Sequence, residues 1–195
     1  MKRASSKPVP ALLDVELTPL IAATRPDAKE FLDAVLESRT SLMRWMPWCH
    51  VDYGADDVER WFQHADQMWT SQTAFPMLIR NAASGALLGG AGLHDVLLYG
   101  KREADLGYWV RAGARGQGVA SMAIRAMAGF AFNELKLARA SIRIRLENGS
   151  SRRAAERAGA SFEGVARHGL VQGEARFDAA QYSLLPHDLT RPWTR

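Results

Sequence analysis

Tyr108-Trp109-Val110-Arg111-Ala112-Gly113-Ala114-Arg115-Gly116-Gln117-Gly118-Val119-Ala120 carries an apolar strand into a glycine-rich loop, and the loop opens a long apolar helix. The first turn of a helix leaves backbone N–H groups without intrahelical acceptors, and the macrodipole adds partial positive charge there. Glycines let the backbone take up conformations closed to other residues and let an anion come close. A phosphate or diphosphate suits such a position. The loop lacks the Gly-Lys-Ser/Thr ending of an ATP-binding P-loop and the third glycine of a dinucleotide fingerprint.

Outward from this stretch, the hydrophobic period alternates between two and 3.6. Leu12 to Leu17 reads as a first strand, and a helix follows from near Pro26, with Ala28, Phe31, Leu32, Val35 and Leu36 as its apolar stripe. An aromatic-rich stretch then runs to a proline break at Pro47. Asp56 and Asp57 open a second helix with Val58, Trp61, Phe62, Ala65, Met68 and Trp69 on one side. Strands are expected over Phe75–Arg80, Ala86–Leu93 and Glu103–Arg111, then a helix from Gly118 to about Leu135. A strand over Ala138–Leu146, a short helix over Ser151–Ala158 ended by Gly159, and strands over Phe162–Arg167 and Phe177–Leu185 complete the order β-α-α-β-β-β-α-β-α-β-β. That order predicts an α/β domain around a mixed sheet.

The chain has 195 residues, enough for one domain with a substantial core. Its 47% hydrophobic and 24% charged residues are ordinary for a globular protein. No apolar run approaches the ~18 residues of a membrane span, and the basic start Met1-Lys2-Arg3 leads into no signal-peptide core, so a cytoplasmic location is expected. The boundaries expected are a flexible leader over 1–10, a single domain over 11–187 and a tail over 188–195. Cys49 is the only cysteine, which excludes an intrachain disulfide and Cys-rich metal sites. The histidines His50, His64, His94, His168 and His187 show no metal-ligand spacing, and no metal is expected. The net charge of +4 gathers arginines between Arg139 and Arg157. No nucleic-acid-binding module accompanies them, so they read as a solvated face or one turned to cofactor phosphates.

Arg115-x-x-Gly118-x-Ala120 resembles the Q/R-x-x-G-x-G/A motif of the GNAT acetyltransferases, which binds the diphosphate of acetyl-CoA. Ala104-Asp105-Leu106-Gly107-Tyr108-Trp109-Val110 resembles the fourth strand of that family. Asn148-Gly149-Ser150-Ser151-Arg152-Arg153 with Glu156-Arg157-Ala158-Gly159-Ala160 resembles its N-x-x-S-x-x-x-x-E-x-x-G-F segment. Arg39 to Trp48 resembles the R-x-x-L-x-x-W-x-x-W region of the RimJ/RimL-type ribosomal-protein N-terminal acetyltransferases, and Gly173 to Leu184 their closing hairpin. The resemblance covers most of the chain. It implies the GNAT fold: a central mixed, mostly antiparallel, twisted sheet of about seven strands, helices on both faces, splayed at strands 4 and 5.

It also implies an acetyl-CoA-dependent N-acetyltransferase in which a primary amine attacks the thioester directly. Trp109, Val110 and Arg111 would run along the pantetheine arm, with a backbone N–H near Val110 polarising the thioester carbonyl. Arg115, Gly116, Gln117, Gly118, Val119 and Ala120 would hold the diphosphate, and Asn148 the pantetheine. Asp105 stands where many members carry a glutamate that takes the amine's proton through water; a solvated carboxylate is the other reading. Ser151 would donate to the leaving thiolate, or cap its helix; Tyr182 is an alternative acid or a buried strand tyrosine. Arg39, Trp45 and Trp48 match the acceptor-lining region. Leu170 stands where some ribosomal-protein acetyltransferases carry a glutamate, a departure from the pattern. The acceptor expected is a protein N-terminal amine, with a ribosomal protein as the branch-level partner. The alternatives are a small amine (aminoglycoside, polyamine or amino acid) or a non-catalytic acyl-CoA-binding module. Nucleic acid and membrane are not expected as partners; a monomer or homodimer is.

Overall fold

Alternating side chains send two sets of apolar residues to opposite faces of one sheet. The computed structural model describes residues 14–21, 27–190 and 193. Its strands are β1 (Val15–Pro19), β2 (Phe75–Asn81), β3 (Leu87–Leu97), β4 (Glu103–Val110), β5 (Arg139–Arg145), β6 (Ser161–Gln172) and β7 (Ala175–Leu184). Its helices are α1 (Ala28–Trp45), α2 (Ala55–Ser71), α3 (Val119–Asn133) and α4 (Gly149–Arg157). The strands lie in the order β1-β2-β3-β4-β5-β7-β6, antiparallel throughout except for β4 and β5. On one face Leu78, Leu87 and Trp109 pack with Phe31 and Val35 of α1 and with Val58 and Phe62 of α2. On the other face Ile79, Leu106 and Ile142 pack with Ile124, Met127 and Ala131 of α3.

The expected seven-stranded mixed sheet is present, and so is its splay. β4 and β5 pair only over Glu103↔Arg139, Ala104↔Ala140 and Asp105↔Ser141. Beyond Asp105 the two strands part. β4 continues to Val110 along β3, and β5 continues to Arg145 along β7.

Several boundaries differ from expectation. α1 absorbs most of the aromatic-rich stretch and runs to Trp45, because Met46 precedes Pro47 and is pushed to an extended conformation (φ −113°, ψ 114°). α4 starts at Gly149, two residues before Ser151, because the Asn148 side chain accepts from the Ser151 N–H and caps it. β1 is shifted toward Pro19; Leu12, Leu13, Pro26 and the leader lie outside the described residues. Asp188 is buried and accepts from the Leu185 N–H, and the Trp193 indole donates to the Arg157 carbonyl. Among the described residues no helix is long and apolar enough to cross a membrane.

Glu163 ties three strands at the far edge. From β6 it receives both guanidinium arms of Arg139 in β5 and the hydroxyl of Ser183 in β7. Arg139 holds its carboxyl down at about 2. A carboxylate with a depressed folded-state pKa stabilises the fold above its unfolded pKa, and that contribution disappears as pH falls through the folded value. The pair is partly exposed, so it contributes no more than about 1 kcal/mol. Urea titrations of the wild type and Glu163→Gln should therefore differ at pH 7 and converge between about pH 4.5 and 2. A difference that stays constant across that range contradicts the assignment.

Candidate active site

Between the parted strands, three connected cavities meet at Tyr108 and Met46. The first, about 330 Å³, lies over the glycine-rich loop and the start of α3. The second, about 320 Å³, is the gap between β4 and β5 itself, roofed by Leu170, Gln172 and Phe177 of the β6–β7 hairpin. The third, about 400 Å³, lies between the sheet and the first two helices.

The loop is shaped for an anion. Gly116 and Gly118 both have left-handed backbones (φ 76° and 81°), and no side chain caps α3. The N–H groups of residues 116–121 find no acceptor among the described residues. Such groups need a partner when they are covered. Glu37 of α1 braces the loop, pairing with Arg111 and accepting from the Gly113 N–H, while Ser38 accepts from Ala112. The Arg111 contact is the main reason the Glu37 carboxyl lies below its usual range. Arg111 is therefore turned to Glu37, and the Nε of Arg115 donates to the Val110 carbonyl. Gln117 closes the turn onto the Gly113 carbonyl. Val119 and Ala120 form the helix start in the same cavity, with Arg153 and Arg157 along its side. Arg152, by contrast, donates to the Tyr182 hydroxyl.

The edge of β4 facing the gap is also unpaired. The Arg111 N–H donates to Leu88 of β3, so the alternation of the strand turns the N–H groups of Val110 and Tyr108 toward the gap. Across it, the Tyr108 hydroxyl lies 2.7 Å from the Ser151 hydroxyl and 3.0 Å from the Ser151 carbonyl. Burial pushes the Tyr108 phenol up to about 12, so it is neutral at physiological pH. Asn148 lines the same gap while capping α4. Tyr182 is fully buried, donates to Glu156 and lies outside all three cavities.

Asp105 lines the gap with its carboxylate held by Arg143. Its cross-strand partner is His94 of β3, which lines both the gap and the third cavity. No described residue hydrogen-bonds the His94 ring, and burial lowers its pKa, so it is neutral at pH 7. Trp45 lines the first two cavities, under the guanidinium groups of Arg44 and Arg145. Trp48 lines the gap and the third cavity, against Tyr53 and Trp109. Arg39 lines none of them; it donates to the Val51 carbonyl and ties α1 to the next loop. The Trp109 side chain is buried against Phe31, and the residue lines the first and third cavities but not the gap. Cys49 is buried in the core beneath the first two helices, where burial raises its thiol pKa, and has no place in the site. Two residues of the site were not anticipated from sequence, Tyr108 and His94. The β-alternation of Tyr108 opposite Asp105 and Gly107 carried the signal for the first.

Residues 15–161 match the acetyltransferase (GNAT) domain family. This chain belongs to the GNAT acetyltransferase family. It is 30% identical over 164 residues to Bacillus subtilis YdaF, named a "putative ribosomal N-acetyltransferase", covering 83% of this chain and 87% of that one. A Vibrio cholerae structure titled a "putative ribosomal-protein-serine acetyltransferase" superposes with a TM-score of 0.74 at 26% identity, over 89% of this chain and 94% of the other. A RimL L7/L12 α-N-protein acetyltransferase in complex with coenzyme A has the same fold, with a TM-score of 0.77 at 20% identity over 88% and 94%.

The co-substrate of this GNAT enzyme is acetyl-CoA, and the residues present fit it. The orphan N–H groups of 116–121 with Arg115, Arg153 and Arg157 suit a diphosphate, and the unpaired β4 edge suits the amides of a pantetheine arm. A Cβ added at Gly118 meets nothing within 4 Å, so in the free protein Gly118→Val costs only left-handed strain, about 1–2 kcal/mol. The melting temperature should fall by a few degrees, whereas the Kd for CoA measured by calorimetry should rise at least tenfold. An unchanged Kd would show that the loop does not hold the diphosphate.

Proposed function

We propose that this chain acetylates the N-terminal α-amine of a protein, with a ribosomal protein as the class suggested by the names of its relatives. The observation that carries this reading is the state of the carboxylates around the gap and the third cavity. Asp105 is held by Arg143, which also lies 3.8 Å from Asp95. Asp57 is held by Arg60 and by the Gly54 N–H. A polyamine or aminoglycoside brings several positive charges and would meet, at Asp105 and Asp57, carboxylates already matched by arginine. A single amine needs none of them.

The proton inventory supports the same choice. An α-amine has a pKa of about 7.7–8.0 and a lysine amine about 10.4. At pH 7.5 about a third of the first is neutral, against roughly 0.1% of the second. An α-amine therefore attacks without a strong base to uncharge it. The proton released during attack passes to His94, which is neutral and has a free ring. Asp105 is already engaged by Arg143.

Acetyl-CoA supplies an acetyl group on a thiolate leaving group. Ser151 and Tyr108 are the hydroxyls at the position proposed for that sulfur. The Tyr108 phenol at about 12 is a far weaker acid than a thiol at about 8.5, so full transfer to a thiolate is uphill by roughly 5 kcal/mol. The pair therefore stabilises the developing negative charge by hydrogen bonding.

Thiol release from acetyl-CoA should occur with free N-terminal peptides and not with N-terminally blocked lysine peptides, aminoglycosides or spermidine. On the peptide that turns over, His94→Gln should lower kcat/KM by about 100-fold and Asp105→Asn by less. Turnover confined to polyamines or lysine peptides overturns the assignment. Saturable acetyl-CoA binding with no thiol release on any amine would make the chain a binding module.

A further inference from the structure

The third cavity has a chemistry of its own. Its walls are Phe31, Trp48, Tyr53, Trp61 and Trp109, from α1, α2, the segment between them and β4. Its floor is bare sheet, because Gly92 of β3 and Gly107 of β4 stand opposite each other in register. The His94 ring occupies the space above them: a Cβ at Gly92 would stand 3.1 Å from its Nε2, and one at Gly107 would stand 3.5 Å away. Any larger side chain at these two positions would press on that ring. At about 400 Å³ the cavity is in the range of small-molecule pockets and can hold a phenylalanine- or leucine-sized group.

Charge appears only toward the mouth, where Arg60 and His64 are exposed and Asp57 is already paired with Arg60. A second cation entering there would meet these basic groups. At the inner end the cavity is continuous with the gap through Trp48, His94, Gly107 and Tyr108. An occupant reaching inward from this cavity brings its next atoms to the free ring of His94.

We propose that this cavity receives a large apolar group attached one or two carbons from the acceptor amine, so that the enzyme selects protein N-termini beginning with residues such as Phe, Leu or Met over those beginning with Ser or Ala. The inference rests on the α-amine reading above and sharpens it. The cavity rewards burial of an apolar side chain, and a hydroxyl or methyl leaves most of it unfilled. Burying a Phe, Leu or Met side chain is expected to raise kcat/KM about 10- to 100-fold over Ser or Ala.

The test is a set of peptides identical except for residue 1 (Ser, Ala, Met, Leu, Phe), assayed with the full chain and acetyl-CoA beside the α-amine pair phenylalaninamide and alaninamide. The expected result is a kcat/KM for Phe, Leu and Met at least tenfold above Ser and Ala, with the same preference for phenylalaninamide over alaninamide. Gly107→Val, whose side chain would press the His94 ring into the cavity, should bring these ratios toward one. Equal or reversed ratios among peptides that do turn over overturn this inference while leaving the α-amine reading intact. Turnover of phenylalaninamide over alaninamide without any peptide turnover supports the cavity assignment and removes the peptide reading. Faster turnover of an Ala-initiated peptide with hexanoyl-CoA than with acetyl-CoA would give the cavity to the acyl chain and overturn the proposal. No turnover of any amine overturns both.

Discussion

The parting of β4 from β5 after three residue pairs is the constraint on which the site depends. Up to Asp105 the two strands satisfy each other's backbone groups. Beyond it, the edge of β4 from Leu106 to Val110 has no strand beside it, and a covered backbone edge requires a partner. The Tyr108 phenol reaches across to Ser151 at the start of α4 and joins the two sides. The β6–β7 hairpin spans the gap from the other side: Gln172 donates to the Met43 carbonyl of α1, and Arg145 stacks on Phe177. The opening is therefore held at a fixed width by contacts at its rims, while its interior edge stays free for a ligand.

The two faces of the sheet divide the work. On the α3 and α4 side, the loop is glycine-rich, capless and arginine-lined, which are the properties of an anion site. On the α1 and α2 side, aromatic rings enclose an apolar cavity over bare glycines. Glu37 and Ser38 couple the two, because α1 braces the loop that follows β4 through its own side chains. A donor gripped by its diphosphate and an acceptor gripped by an apolar group would then meet at Tyr108 and His94. Positioning of this kind is a large part of what a transfer enzyme can supply.

Much of this was legible in the sequence. The strand-loop-helix at Tyr108–Ala120 was legible because glycines and an uncapped helix start leave a local signature. The helix expected from Ser151 starts two residues earlier, because the capping role falls to Asn148. What local pattern could not reveal was pairing across the fold. Nothing near Arg111 in sequence announces that Glu37 takes up its charge, nor near Asp105 that Arg143 does. Arg39 matched an acceptor-lining motif but braces a loop, since its reach to Val51 is fixed by where α1 ends. His94 was passed over because it was weighed only for metal spacing. Its place opposite Asp105 follows from the register of β3 on β4, which a sequence does not print.

The most direct test is a crystal structure of the chain with CoA. The account predicts the diphosphate on the N–H groups of residues 116–121, the pantetheine arm along the β4 edge, and the sulfur beside Ser151 and Tyr108. The cavity over Gly92 and Gly107 should remain free in that complex. A CoA molecule bound elsewhere, or one whose arm fills that cavity, would contradict it.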